Sequence, residues 1–300
     1  MTTNSYPGPE TIRRHVLDNG ITVLIYENMN SETVSMEGVV RAGSVIEPRE
    51  RAGLADFTAD LLMRGTQKRT FDEINEALEA VGAGVSFGGA RHTSGFSSHS
   101  LVEDLDLVLD IIAESFCRPT FPDEHVEKLR GQIVTGLHMR ANNTRQMAWL
   151  GFHELVYPDH PYGRSVSGYL DTIPAIGRTE IVDFYERNYG PQQMIIGLAG
   201  AIPAGEALRK LEATFGRWRV DGQHLTPLSP DATRPAGLLR RHVPMPDKHQ
   251  ADIVLGLPGP RRSAGDYLDA SLMNTILGVF GMMGRIGQNV REEQGLAYYA

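Results

Sequence analysis

Two aspartates four residues apart, Asp56 and Asp60, are the side chains whose type and spacing speak first of chemistry. They lie in Gly53-Leu54-Ala55-Asp56-Phe57-Thr58-Ala59-Asp60-Leu61-Leu62-Met63-Arg64-Gly65-Thr66. Leu54, Phe57, Leu61 and Leu62 recur there at helical spacing, so the stretch reads as a buried helix stopped at Gly65. That spacing sets both carboxylates on one face, a turn apart. Like charges so placed repel, and aspartate forms helices poorly, so helix stability does not account for the pair. Two chemistries suit it: oxygen ligation of a hard cation such as Mg²⁺ or Ca²⁺, and an acid/base dyad sharing one proton. The first lacks further acidic or carbonyl ligands, and the second lacks a nucleophile or an oxyanion site. The ten histidines are scattered without ligand spacing. His92, His99, His125, His138 and His153 read as surface or strand residues. No metal site follows from the residues.

The elements around that helix alternate between strand and helix. Arg14–Leu17 and Ile21–Tyr26 flank Asp18-Asn19-Gly20, which is hairpin turn chemistry. Val34–Val40 is a third strand leading towards the aspartates. Phe71–Val81 carries Ile74, Leu78 and Val81 on one face, with Thr70 as N-cap and Glu73 as its capping-box partner. Val85–Phe87 and Thr93–His99 are short strands broken by Gly88-Gly89, and Asp104–Phe116 and Pro122–Met139 are helices. Arg178–Tyr189, Met194–Ala199 and Ala204–Phe215 then give helix, strand and helix. Val220–Gly237, rich in Pro, Asp, Thr and Gly, reads as a linker. Beyond it Ala251–Gly259 parallels the strand at Val34, and Tyr267–Gly278 parallels the helix at Asp56, as an internal repeat would. The class is α+β, with an antiparallel-rich sheet packed by helices.

Composition excludes several classes. The 300 residues are 41% hydrophobic and 22% charged, with a net charge of -8, which argues against a nucleic-acid surface. No apolar run reaches the roughly 20 residues that cross a bilayer. The polar start lacks a signal-peptide layout, and the single cysteine, Cys117, fits a reducing compartment and a packed thiol, so a cytoplasmic location is expected.

The frame around the aspartates resembles the pitrilysin/insulinase family of zinc metallopeptidases. There a helix reading G-L-A-H-F-L-E-H-M-L-F-x-G-T carries two zinc-binding histidines and a glutamate base. This sequence keeps the frame but has Asp56 and Asp60 at the histidine positions and Ala59 at the glutamate. The family's third ligand, a glutamate roughly seventy-five residues on in E-R-x-x-V-x-x-E, falls at Gly136. His160-Pro161-Tyr162-Gly163 also matches a family segment, its histidine and tyrosine being candidates for packing. The resemblance runs from about Arg14 to Ala300. It implies two homologous two-layer α/β halves of the processing-peptidase-like metallopeptidase type, arranged as residues 1–220, a linker at 221–237 and the start of a second half at 238–300. On that pattern the second half is incomplete and the chain stops inside a strand. The resemblance also implies that Val85, Ser86 and Phe87 lie on an edge strand that takes a peptide by β-augmentation; an edge merely loosened by glycines is the plainer alternative.

A second match is Val290-Arg291-Glu292-Glu293-Gln294-Gly295-Leu296-Ala297-Tyr298, against the family's L-R-E-x-x-G-L-A-Y. In active members that arginine and tyrosine bind the substrate carbonyl and the oxyanion, so Arg291 and Tyr298 are the catalytic candidates here. The plainer alternative pairs Arg291 with Glu292 or Glu293. The resemblance implies a chain inactive alone: the non-catalytic subunit of a heterodimeric peptidase. It has no cofactor of its own, and zinc sits only on an H-x-x-E-H-bearing partner that shares a peptide substrate. The alternative is a structural scaffold with no part in proteolysis.

Overall fold

In a computed structural model of the chain, residues 6–225, 231–279 and 284–298 are described. The chain divides into a larger unit, Met1–Asp231 with Arg240–Ile253, and a smaller one, Ala232–Leu239 with Val254–Ala300.

The larger unit is a mixed six-stranded sheet with helices on one face. Ile12–Val16 (β1) and Thr22–Glu27 (β2) form the expected hairpin, and Thr33–Val40 (β3) follows. Next come Leu54–Leu61 (α1), Phe71–Ala80 (α2), Gly84–Gly89 (β4) and Ser94–Leu101 (β5). Leu105–Cys117 (α3), Asp123–Ala141 (α4), Thr144–Val156 (α5) and Arg178–Asn188 (α6) precede Ile195–Gly200 (β6) and Ala204–Phe215 (α7). The sheet order is β1-β2-β6-β3-β5-β4, with β2 and β6 parallel and every other pair antiparallel.

Period-two alternation builds the core. Val34, Met36 and Val40 of β3 are buried while Thr33, Ser35 and Glu37 are exposed, so one face of the sheet meets the helices. Phe57, Leu61 and Leu62 around α1, Leu105, Leu109, Ile112 and Phe116 of α3, and Leu211 and Phe215 of α7 close on it. The capping box at Thr70 and Glu73 is present as expected.

Three expectations change. β4 runs unbroken through Gly88 and Gly89, because pairing with β5 continues to the Gly89–Ser94 rung. Helix α5 has no counterpart among the expected elements; of its residues only Gly151 and Val156 are buried, so no apolar stripe announces it. Residues 251–259 form no strand: no neighbouring strand pairs with them among the described residues, and Ile253, Leu255 and Leu257 are exposed. In the smaller unit Tyr267–Asn274 (α8) continues as a π-helical Thr275–Val279, and Gln288–Glu293 is π-helical too. Residues 226–230 of the expected linker, and Ala300, lie outside the described residues.

Candidate functional site

Helix α1 starts where the chain turns sharply inward. Gly53 is left-handed, with φ of +99°, and a β-carbon there would stand 2.6 Å from Ile173 Cδ1 and 2.9 Å from Gly168 Cα. Only glycine fits both demands. The helix's first amides are taken by a buried carboxylate: Gly53 N and Ala55 N each donate to Glu47 at 2.8 Å. Nothing in the sequence marked Glu47, since a charged residue after a strand reads as surface. Arg164 donates from Nη1 to the Glu47 carbonyl oxygen at 2.6 Å, tying the segment after His160 to the same corner. Burial pushes the Glu47 carboxyl up to about 8, against the pull of the two amides and of Arg164.

Asp56 and Asp60 share one face of α1 as expected, and both are half-buried. Ala59 between them is fully buried. Asp56 accepts a hydrogen bond from Gly89 N at 3.2 Å, which joins α1 to the end of β4. A β-carbon on Gly89 would stand 2.6 Å from Asp56 Cα, so this approach requires glycine. Burial raises the Asp56 carboxyl above its ordinary range, opposed by hydrogen bonds from the Ser167 hydroxyl and the Gly89 amide. Asp60 is pushed up to about 7, first by burial and then by the charge of Asp56, with Arg64 pulling the other way.

β4 is the terminal strand of the sheet. Ala90 N bonds Thr93 O, and antiparallel rungs alternate, so the amides and carbonyls of Val85, Phe87 and Gly89 face away from β5. Asp56 takes the Gly89 rung. The Phe87 ring packs inward against Phe96 and Phe116, and Ser86 pairs by its hydroxyl with Ser97 at 2.9 Å on the other face.

Gly136 lies exposed on α4, where an added β-carbon would meet nothing within 4 Å. Its neighbours cannot replace it. Glu127 is engaged by Arg130 at 3.0 Å, while Arg130 also donates to the Ile173 and Ile176 carbonyls and lies over the Phe57 ring. His138 is exposed. The residues therefore do not fit zinc: no imidazole is present in α1, Asp56 is already bonded to the sheet, and Gly136 supplies no side chain where a third ligand would stand. Among the described residues no three His, Cys, Asp or Glu side chains come together as a metal site.

His160 and Tyr162 take packing roles. Tyr162 N donates to His160 Nδ1 at 3.1 Å, and Tyr162 OH meets His92 Nε2 at 2.6 Å, so His92 is a bonded, half-buried residue of the β4–β5 turn rather than a surface one. Cys117 is half-buried, its thiol pushed up to about 12 by burial.

In the smaller unit, Arg291 and Tyr298 stand together. The Arg291 guanidinium lies over the Tyr298 ring at 5.0 Å, and its Nε is 3.4 Å from Glu292 Oε1. Arg291 Nη1 is enclosed and makes no hydrogen bond among the described residues, whereas the Tyr298 side chain is exposed.

Asp60 gives a pH dependence whose sign follows from its raised carboxyl. The folded chain keeps that proton to about 7, whereas the unfolded chain loses it near 3.8. The contribution of Asp60 to stability is thus full below about pH 4 and is lost as pH rises towards 7. Asp60→Asn should stabilise the protein at about pH 8 by on the order of 1–2 kcal/mol after solvent screening, with the gain vanishing near pH 4. Urea midpoints at the two pH values check this; an equal effect at both would refute the assignment.

Residues 22–168 match the family model described as Insulinase (Peptidase family M16), and residues 175–300 match that of the Peptidase M16 inactive domain. The chain is similar to an uncharacterized zinc protease of Mycobacterium leprae, 29% identical over 95% of this chain and 64% of that protein. It is also similar to the mitochondrial-processing peptidase subunit beta of Saccharomyces cerevisiae, 25% identical over 92% of this chain and 59% of that one. The chain thus spans less than two thirds of these relatives' length. A crystal structure of a peptidase M16 inactive domain from Pseudomonas fluorescens shares the fold, with a TM-score of 0.83, 22% identity, and coverage of 96% of this chain and 69% of that one. The chain belongs to peptidase family M16, the insulinase family.

Proposed function

We propose that this chain is the non-catalytic subunit of a two-chain zinc peptidase. Its own α1 carries no zinc, and Arg291 with Tyr298 serves a metal site on an H-x-x-E-H-bearing partner. A peptide carbonyl polarised by that metal would take a charged donor from Arg291 and a hydroxyl donor from Tyr298 as its oxygen becomes an oxyanion. The peptide itself would lie along β4 at Val85, Ser86 and Phe87, using the outward amides and carbonyls of Val85 and Phe87. The chain is read as two homologous halves, 1–220 and from 238 onward, in the cytoplasm, where its single cysteine stays reduced.

The observation that carries the reading is the Arg291 guanidinium held against the Tyr298 ring, in a chain whose α1 has carboxylates in place of imidazoles. The mitochondrial-processing peptidase relative, itself named a subunit, supports a paired arrangement. The ion pair from Arg291 to Glu292 favours the second reading, a scaffold with no part in proteolysis.

Complementation separates the two. The full-length protein, mixed with a zinc-bearing homologue and checked for assembly by size exclusion, should cleave peptides that neither chain cleaves alone. An assembled pair no more active than the zinc-bearing chain by itself would leave the scaffold reading standing.

A further inference from the structure

The segment Arg240–Ile253 belongs to the larger unit although the chain passes into the smaller one immediately after it. It has no regular secondary structure, yet it is fastened along α5. Arg241 Nη1 pairs with Glu154 Oε2 at 2.7 Å. Val243 sits over Gly151, where an added β-carbon would stand 3.3 Å from its Cγ2. At the far end Thr144 Oγ1 donates to Asp252 Oδ2 at 2.5 Å. The strap therefore runs antiparallel to the helix, from its last turn to its first.

Glu154 is where the strap meets the site. Its Oε2 holds Arg241 while its Oε1 accepts from Tyr169 OH at 3.1 Å. Tyr169 OH in turn accepts from Ser165 N at 3.0 Å. Arg140 holds the same turn through Ser165 Oγ at 2.7 Å and the Gly168 carbonyl at 2.9 Å. That turn backs onto α1: Gly168 lies against Gly53, and Ser167 hydrogen-bonds Asp56. Glu154 thus serves the strap with one oxygen and the turn with the other, so the two share one anchor.

We propose that residues 240–253 form a clasp on α5 whose release loosens the 165–169 turn at Asp56, with Glu154 as the shared anchor. The clasp is a conformational device within the larger unit: opening it relaxes the turn that backs onto the start of α1. The inference does not depend on the split-site reading.

Hydrogen–deuterium exchange and limited proteolysis of the full-length protein test it. Arg241→Met with Asp252→Ala alters only the strap. Amides of 165–169 should exchange faster, by about tenfold, as a local opening would give, and cleavage within 240–253 should speed by a similar factor. A disulfide from Gly151→Cys and Val243→Cys, in a Cys117→Ser background, should slow both. In a Tyr169→Phe background the strap variant should change exchange at 165–169 no further. Faster cleavage of the strap with unchanged protection at 165–169 would overturn the coupling. Unchanged cleavage of the strap would overturn the clasp.

Discussion

Arg291→Ala or Tyr298→Phe is expected to cut kcat about 10²–10³-fold in the reconstituted pair while leaving the complex assembled. That is the usual loss for one oxyanion donor, roughly 3–4 kcal/mol of transition-state stabilisation. The expectation rests on the guanidinium held over the tyrosine ring. A scaffold role makes the opposite forecast, because an arginine satisfied by Glu292 touches no chemistry and turnover stays within a few fold. Steady-state cleavage, with size exclusion for assembly, distinguishes them. Tyr298→Phe is the cleaner variant, since it removes one hydroxyl from an exposed ring and keeps the ring beneath the guanidinium.

The largest stability effect should come from Glu47. Its side chain is 3% exposed and accepts from both Gly53 N and Ala55 N. Glu47→Ala strands two buried amides at the start of α1, where helices have no internal acceptors. The expected loss is about 2–4 kcal/mol, with Glu47→Gln losing about half because one carbonyl acceptor remains. Urea unfolding followed by far-ultraviolet circular dichroism measures both. An Ala variant within about 0.5 kcal/mol of the parent would show that water satisfies those amides instead.

Much of this architecture was legible in the residues because local signals and burial agreed. Leu54, Phe57, Leu61 and Leu62 announced α1, and all four are buried; Thr70 and Glu73 announced the start of α2. Asp56 and Asp60 stood out because their spacing opposes helix stability, and they do share a face. The misreadings have physical causes. Gly88 and Gly89 looked like breakers, yet β4 needs Gly89 so that α1 can approach. Helix α5 went unseen because its apolar residues are spread around it, and part of its cover is the strap. Glu47 and Ser167 were invisible because each acts through contacts made by distant parts of the chain, which no local pattern encodes.

In the proposed subunit, α1 and α4 hold no metal. Two half-buried carboxylates, one of them bonded to Gly89, with Gly136 opposite an open space, leave no tetrahedral set. The direct measurement is elemental analysis of the full-length protein after dialysis. A metal content far below one zinc per chain is expected, whereas about one zinc per chain would contradict this, since Asp56 and Asp60 with Gly136 at the third position leave a tetrahedral set incomplete.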